Sequence, residues 1–241
     1  MDKKICVFDI EVVPYDFEVH FDEPTKEYLL KYVKTDEDKK NTIENLVFSP
    51  FASMVVAIGM YNYFEDKGGV LVYNPDIEKD FSEEVNGNIF FYYKSEYDLI
   101  ENFWIRMERK KYDLFITFNG REFDCPFLML RSMILGISPK IDLMKGSDFN
   151  FREYHIDLLK EMTFGRAERV GARRRFSLDF YCRQLGIGSP KSEYSGVIVK
   201  ELFEGKKYKE IATYCLGDVI ATKKLFDIWN KYIGKIKIQN I

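Results

Sequence analysis

The chain has 241 residues, 46% hydrophobic and 16% aromatic, enough to bury a sizeable core and far from the composition of a disordered segment. Its formal net charge of -3 excludes a protein that coats nucleic acid through broad positive charge, while leaving room for a local basic path. Two histidines and four cysteines with no CxxC pair exclude a zinc centre of ordinary spacing, so any catalytic metal must be held mainly by carboxylates. No stretch approaches the roughly 20 apolar residues that span a bilayer, and the cysteines have apolar neighbours that suit buried, reduced thiols. The expectation is a cytoplasmic protein with no membrane partner.

Ile5 to Val13 (ICVFDIEVV) is β-branched and apolar, broken by two acids, and predicts a buried central strand. From about 14 to 46 the chain is charged and reads as a surface insertion with one helix around Thr25 to Val33. Ser53 to Tyr61 predicts a second strand, and Gly68-Gly69 a turn into a third at Val70 to Tyr73. Glu96 to Lys111 has helical spacing, with Leu99, Ile100, Phe103 and Met107 on one face. Asp113 to Phe118 returns as a strand, followed by a loop at 119–122 and a helix from about Phe123 to Leu135. Further helices are predicted at Ser177 to Leu185 and Tyr208 to Tyr232. Strands first, then strands alternating with helices, describe an α/β domain with one mixed sheet and helices on its faces.

Acids interrupt these apolar elements in three places. Asp9 and Glu11 lie two apart in the first strand and project from one face, an expensive arrangement in a core unless cations or donors neutralise it. They fit a metal site, or a strand end where both acids meet solvent or a Lys or Arg. Asp124 follows Phe123 at a helix start, where a helix cap is the simpler role. Asn119-Gly120 is likewise a good turn pair without chemistry. Tyr214 and Asp218 are four apart on one helix face, as a hydrogen-bonded structural pair would also be.

Taken together, Phe8-Asp9-Ile10-Glu11, Asn119-Gly120-x-x-Phe123-Asp124 and Tyr214-x-x-x-Asp218 resemble the three motifs of the DEDDy 3′–5′ exonucleases, in the family's order and over most of the chain. These enzymes have the ribonuclease H-like fold and include the proofreading domain of B-family DNA polymerases. The resemblance implies a single exonuclease domain over residues 1–241, similar to stand-alone forms since no polymerase segment is present. One departure is Val12, where many relatives carry Thr after the first-motif Glu.

The resemblance also implies two divalent ions, Mg²⁺ or Mn²⁺, as cofactors. Asp9, Glu11 and Asp218 would hold the ion that activates water, Asp9 would be shared with the second, and Asp124 would act mainly through coordinated waters. Tyr214 would orient the attacking water. The position that holds His in another branch of the family is Thr213, so the sequence fits the tyrosine type. His155 and Asp157 read as structural residues, with a supporting role at the site open to Asp157.

The expected partner is nucleic acid, a single-stranded DNA 3′ end, with Asn119 and Phe123 beside the terminal nucleotide. Arg173, Arg174 and Arg175, in a flexible Gly-containing stretch from 165 to 175, suit phosphate binding or a solvated surface loop equally. Two alternatives compete: a 3′–5′ exoribonuclease, and a non-catalytic nucleic-acid-binding module on the same fold.

Overall fold

The computed structural model describes residues 3–146, 150–188 and 197–235. Its centre is a seven-stranded mixed sheet in the order β4-β5-β3-β2-β1-β6-β7. The strands are β1 (Ile5–Pro14), β2 (Ser53–Asn62), β3 (Lys67–Tyr73), β4 (Phe81–Val85), β5 (Asn88–Tyr93), β6 (Leu114–Thr117) and β7 (His155–Asp157). β1 pairs antiparallel with β2 and parallel with β6, so it has neighbours on both sides, as its largely apolar run predicts. With helices on both faces this is the expected α/β, ribonuclease H-like arrangement.

Side-chain alternation along β1 divides the core. Cys6, Phe8 and Ile10 face one side, packing with Leu99, Ile100, Phe103 and Met107 of α4 (Glu96–Lys110) and with Phe127 and Leu128 of α5 (Asp124–Ile134). Ile5, Val7 and Val13 face the other, against α9 (Tyr208–Trp229). Asp9 and Glu11 share the parity of Val7 and Val13, and so belong to the α9 face. Two short helices, α6 (Leu158–Met162) and α7 (Leu178–Gln184), also lie on that side, and α8 (Val197–Glu204) precedes α9.

The region after β1 holds more structure than the single expected helix. It contains α1 (Phe17–His20), α2 (Glu23–Leu30) and α3 (Asp36–Asn45), then a 3₁₀ turn at Leu46–Phe48. α3 is polar all round and has no buried residue, but Thr35 caps it through the Asp38 amide and Asp36, Glu37 and Asp38 complement its dipole. A second difference concerns Gly68 and Gly69, which lie inside β3 while the turn falls at 63–66, with Asp66 at φ 49°. Gly68 is required by packing. A Cβ there would stand 2.8 Å from Asn88 Oδ1 and 2.8 Å from Leu216 Cδ1 of α9.

The β4–β5 hairpin, β7, α6 and α8 have no counterpart in the expected elements. All four cysteines are buried free thiols, as expected. Among the described residues no helix is long and apolar enough to cross a membrane.

Candidate functional site

β1 outruns its parallel neighbour: pairing with β6 ends at Val7↔Ile116, so the segment bearing Asp9 and Glu11 has an open edge on that side. The chain after β6 folds back to fill it. Asn119 takes a left-handed conformation (φ 68°), and the Gly120 amide bonds to Thr117 Oγ1 at 3.1 Å. A Cβ at Gly120 would sit 2.3 Å from that same oxygen, so only glycine permits the turn. α5 then begins at Asp124. Its carboxylate is not a helix cap but reaches β1, where Oδ1 accepts from the Ile10 amide at 3.0 Å. Asp124 is thereby tied to the residue between Asp9 and Glu11.

α9 supplies the opposite wall. Cys215 Sγ lies 3.7 Å from the Asp9 carbonyl oxygen, and Asp9, Glu11 and Cys215 bring potential ligand atoms within 4.8 Å of one another. Gly59, paired opposite Asp9 on β2, makes this approach possible: a Cβ there would meet Val219 Cγ2 at 2.8 Å and Cys215 Sγ at 3.0 Å. Asp218 follows Cys215 by one helical turn, on the buried side of α9. The β1–β2 register shifts between Glu11 and Val12, re-aiming the strand where its acids meet α9.

The electrostatics report the same convergence. Burial, and then the charges of Glu11, Asp9 and Asp218, push the Cys215 thiol well above its ordinary range, so it stays protonated. Burial likewise pushes Asp124 up to about 7, opposed by the amides of Asp124 and Ile10. Three acids focused on one buried thiol, with a fourth beside them, concentrate negative charge that a divalent cation would relieve. The donor set suits a hard ion, because the oxygens are carboxylates and the sulfur is a neutral thiol.

Tyr214 lies on α9 in the cluster packed against β2 and β3, and is mostly buried. Phe123 is half-buried between Phe127 at 5.4 Å and Phe48 at 6.0 Å, the latter 65% exposed and contributed by the insertion. The stretch from 165 to 175 is a hydrogen-bonded turn and not a loose loop. Glu168 N–H donates to the Arg173 carbonyl at 3.0 Å, and the Arg175 amide to the Glu168 carbonyl at 3.1 Å. Arg173 pairs with Glu168 at 2.6 Å, whereas Arg174 and Arg175 are exposed.

Asp157 is a support, as one of its two expected roles had it. Wholly buried, it caps α6, and its oxygens also accept from the Asn119 amide at 2.9 Å and the Arg121 amide at 3.0 Å. It therefore fixes the turn that delivers Asn119, Phe123 and Asp124. His155 sits behind the same turn, its Nε2 2.7 Å from Thr117 Oγ1. Cys215 and Gly59 are absent from the sequence-based site, where a supporting role was left open to Asp157. Only Gly59 left a signal, as a glycine interrupting a β-branched strand.

Burial depresses His155 from its ordinary 6.5 to about 3, so the unfolded chain accepts a proton that the folded one refuses. The stability this residue contributes is complete above pH 6.5 and lost progressively as pH falls toward 3. Between pH 7 and 5 the loss is about 2 kcal/mol at 1.36 kcal/mol per pH unit. Denaturant titrations at the two pH values should show that much less acid destabilisation in His155→Gln than in the unchanged protein. Equal losses in both would refute the assignment.

Residues 83–240 match a family described as a predicted 3′–5′ exonuclease related to the exonuclease domain of PolB. That segment includes Asp124, Tyr214 and Asp218 and begins after Asp9 and Glu11. The chain is similar to DNA polymerase 1 of Sulfolobus acidocaldarius, 29% identical over 173 residues, which are 68% of this chain and 18% of that polymerase. An uncharacterised protein of Methanocaldococcus jannaschii is 33% identical over 134 residues, 55% of this chain and 65% of that protein. The DNA polymerase of Desulfurococcus sp. (strain Tok) is 26% identical over 183 residues, 69% of this chain and 21% of the polymerase. The chain thus spans about a fifth of the polymerases it resembles. With its mixed sheet and helices on both faces, the chain belongs to the family of predicted 3′–5′ exonucleases related to the exonuclease domain of PolB.

Proposed function

We propose that this protein is a metal-dependent 3′–5′ exonuclease that hydrolyses phosphodiester bonds at the 3′ end of single-stranded or frayed DNA. Residues 1–241 act as one exonuclease domain, with the insertion at about 14–46 as part of it. The observation that carries this reading is the focus of Asp9, Glu11 and Asp218 on the buried Cys215, with Asp124 hydrogen-bonded to the amide between the first two. DNA is favoured over RNA because three of the similar proteins are DNA polymerases.

Asp9, Glu11 and Asp218 would hold divalent ions, Mg²⁺ or Mn²⁺, with Asp124 contributing through water. When bound, two such ions supply a nucleophile at neutral pH and relieve charge on the leaving oxygen. The chain's own groups do the rest. Tyr214, four residues before Asp218 on the same helix face, orients the attacking water by a hydrogen bond from its hydroxyl. Asn119 and Phe123, on the turn clamped by Asp157, hold the terminal nucleotide. Arg173 shapes the arginine turn through Glu168, and Arg174 and Arg175 meet phosphates.

End-labelled DNA and RNA strands incubated with Mg²⁺ or Mn²⁺ test this directly. Stepwise shortening of DNA from the 3′ end, stopped by chelator, is expected, with Tyr214→Phe slowing turnover and leaving DNA affinity intact. Shortening from the 5′ end would sink the assignment, preference for RNA would replace the substrate, and binding without shortening would indicate a non-catalytic module.

A further inference from the structure

Phe176 and Phe180 stack with ring centroids 4.1 Å apart and planes 14° from parallel. Neither belongs to a core cluster, and Phe180 is 39% exposed. Two phenyl rings stacked at the surface contribute little to the fold. Arg174 lies over the Phe176 ring, its Cζ 4.9 Å from the centroid. The neighbouring acids are engaged: Glu168 pairs with Arg173, and Asp179 with Arg183 at 3.0 Å. Among the described residues Arg174 and Arg175 have no carboxylate within 4 Å, so positive charge flanks the rings uncancelled.

The stack also has a defined relation to the acids. Tyr181 sits edge-on to Phe176 at 5.8 Å and donates its hydroxyl to the Arg174 carbonyl at 3.3 Å. On its other side it meets Phe118 at 6.0 Å, and Phe118 directly precedes Asn119 of the turn that carries Asp124. A line of aromatic contacts therefore runs from the second motif to the surface and ends on rings bordered by arginines. Rings that offer a flat face between cations are the surface a single nucleic-acid strand recognises, since every base has a π-face and every linkage a charge.

We propose that the Phe176–Phe180 stack, with Arg174 and Arg175, is a subsite for the bases and phosphates of a single DNA strand, upstream of the end held at the acids. That placement rests on the exonuclease reading; the binding itself does not.

The test is equilibrium binding of a 5′-fluorescein dT10 oligonucleotide by anisotropy in EDTA, where no hydrolysis occurs. Phe180→Ala should weaken binding about tenfold, the low end for one base–ring contact, while Phe180→Trp stays within about twofold. The unchanged protein should bind a dT10 carrying abasic sites at least as weakly as Phe180→Ala binds the intact strand. Replacing Arg174 and Arg175 by Ala should flatten the plot of log affinity against log salt by about 1.4, at roughly 0.7 for each phosphate contact. Equal affinity of the unchanged protein for intact and abasic strands would overturn the subsite without any variant. So would unaltered binding in Phe180→Ala of native stability. Strand shortening in Mg²⁺ with neither effect removes the subsite and leaves the exonuclease. Both effects without shortening remove the exonuclease and leave the subsite.

Discussion

Replacing Asp9 by Asn should abolish hydrolysis and, with chelator present, make the protein more stable. Both outcomes follow from one arrangement. Asp9, Glu11 and Asp218 crowd Cys215 where α9 packs on β1, and burial there strengthens their mutual repulsion. On the metal-dependent reading, a bound cation would offset this charge. Removing one carboxylate relieves the repulsion and would also remove one of the groups proposed to hold the ions. Turnover should fall by about three orders of magnitude or more, roughly 4 kcal/mol of barrier at tenfold per 1.36 kcal/mol.

Calorimetry supplies the second arm. An ion at 100 times its Kd stabilises the folded state by about 2.7 kcal/mol, which raises Tm by roughly 5–10 °C in a chain of this size. The unchanged protein should show that rise on adding Mn²⁺, and Asp9→Asn should show little of it from a higher starting point. An undiminished metal response in Asp9→Asn would remove Asp9 from the ligand set, whatever happened to activity.

Why the acids were legible while much around them was not is a question of range. Asp9 and Glu11 share a face because a strand alternates, and Tyr214 and Asp218 share one because a helix turns every 3.6 residues. Period fixes such relations. It also fixed the apolar face of α4, while an apolar run broken only by two acids placed β1 inside the sheet with a neighbour on each side. The β4–β5 hairpin was missed although Asn86-Gly87, with both φ values positive, is a strong local signal for a tight turn. β7 has three residues and α6 five, too few for any period to register.

Position across the fold is harder. Cys215 reads in the sequence as one more buried thiol, and only the packing of α9 on Gly59 brings it to Asp9. Asp157 belongs to the site because two amides some 40 residues earlier in the chain need an acceptor. The glycines carry the same lesson. Gly68-Gly69 suggests a turn, yet it is the nearness of α9 and Asn88 that excludes a side chain at Gly68.

A larger effect on stability should follow from Arg131→Met, at a buried ion pair that no sequence pattern announces. Arg131 binds Glu96 through two nitrogens, Nε to Oε1 at 2.8 Å and a terminal nitrogen to Oε2 at 2.7 Å, both side chains under a tenth exposed. Glu96 Oε1 also accepts from the Val55 amide at 2.7 Å, so α4, α5 and β2 meet at one carboxylate. Two further guanidinium donors go to the Tyr15 hydroxyl and, at 3.0 Å, to the Pro50 carbonyl. Tyr15 and Pro50 bracket the helical insertion, so this one side chain ties both of its ends to the sheet domain. Removing the cation leaves Glu96 buried and uncompensated, which costs about 3–5 kcal/mol and lowers Tm by roughly 6–20 °C.

The double variant Arg131→Met with Glu96→Gln should recover much of that loss, because the glutamine oxygen still accepts from Val55 and no charge remains to desolvate. Neither variant restores the tether, so proteolysis between residues 15 and 50 should be faster than in the unchanged protein in both. The insertion also presents Phe48 to Phe123, so losing the tether should weaken DNA binding even where stability has recovered. An unchanged denaturation midpoint in Arg131→Met would place the insertion's anchorage elsewhere.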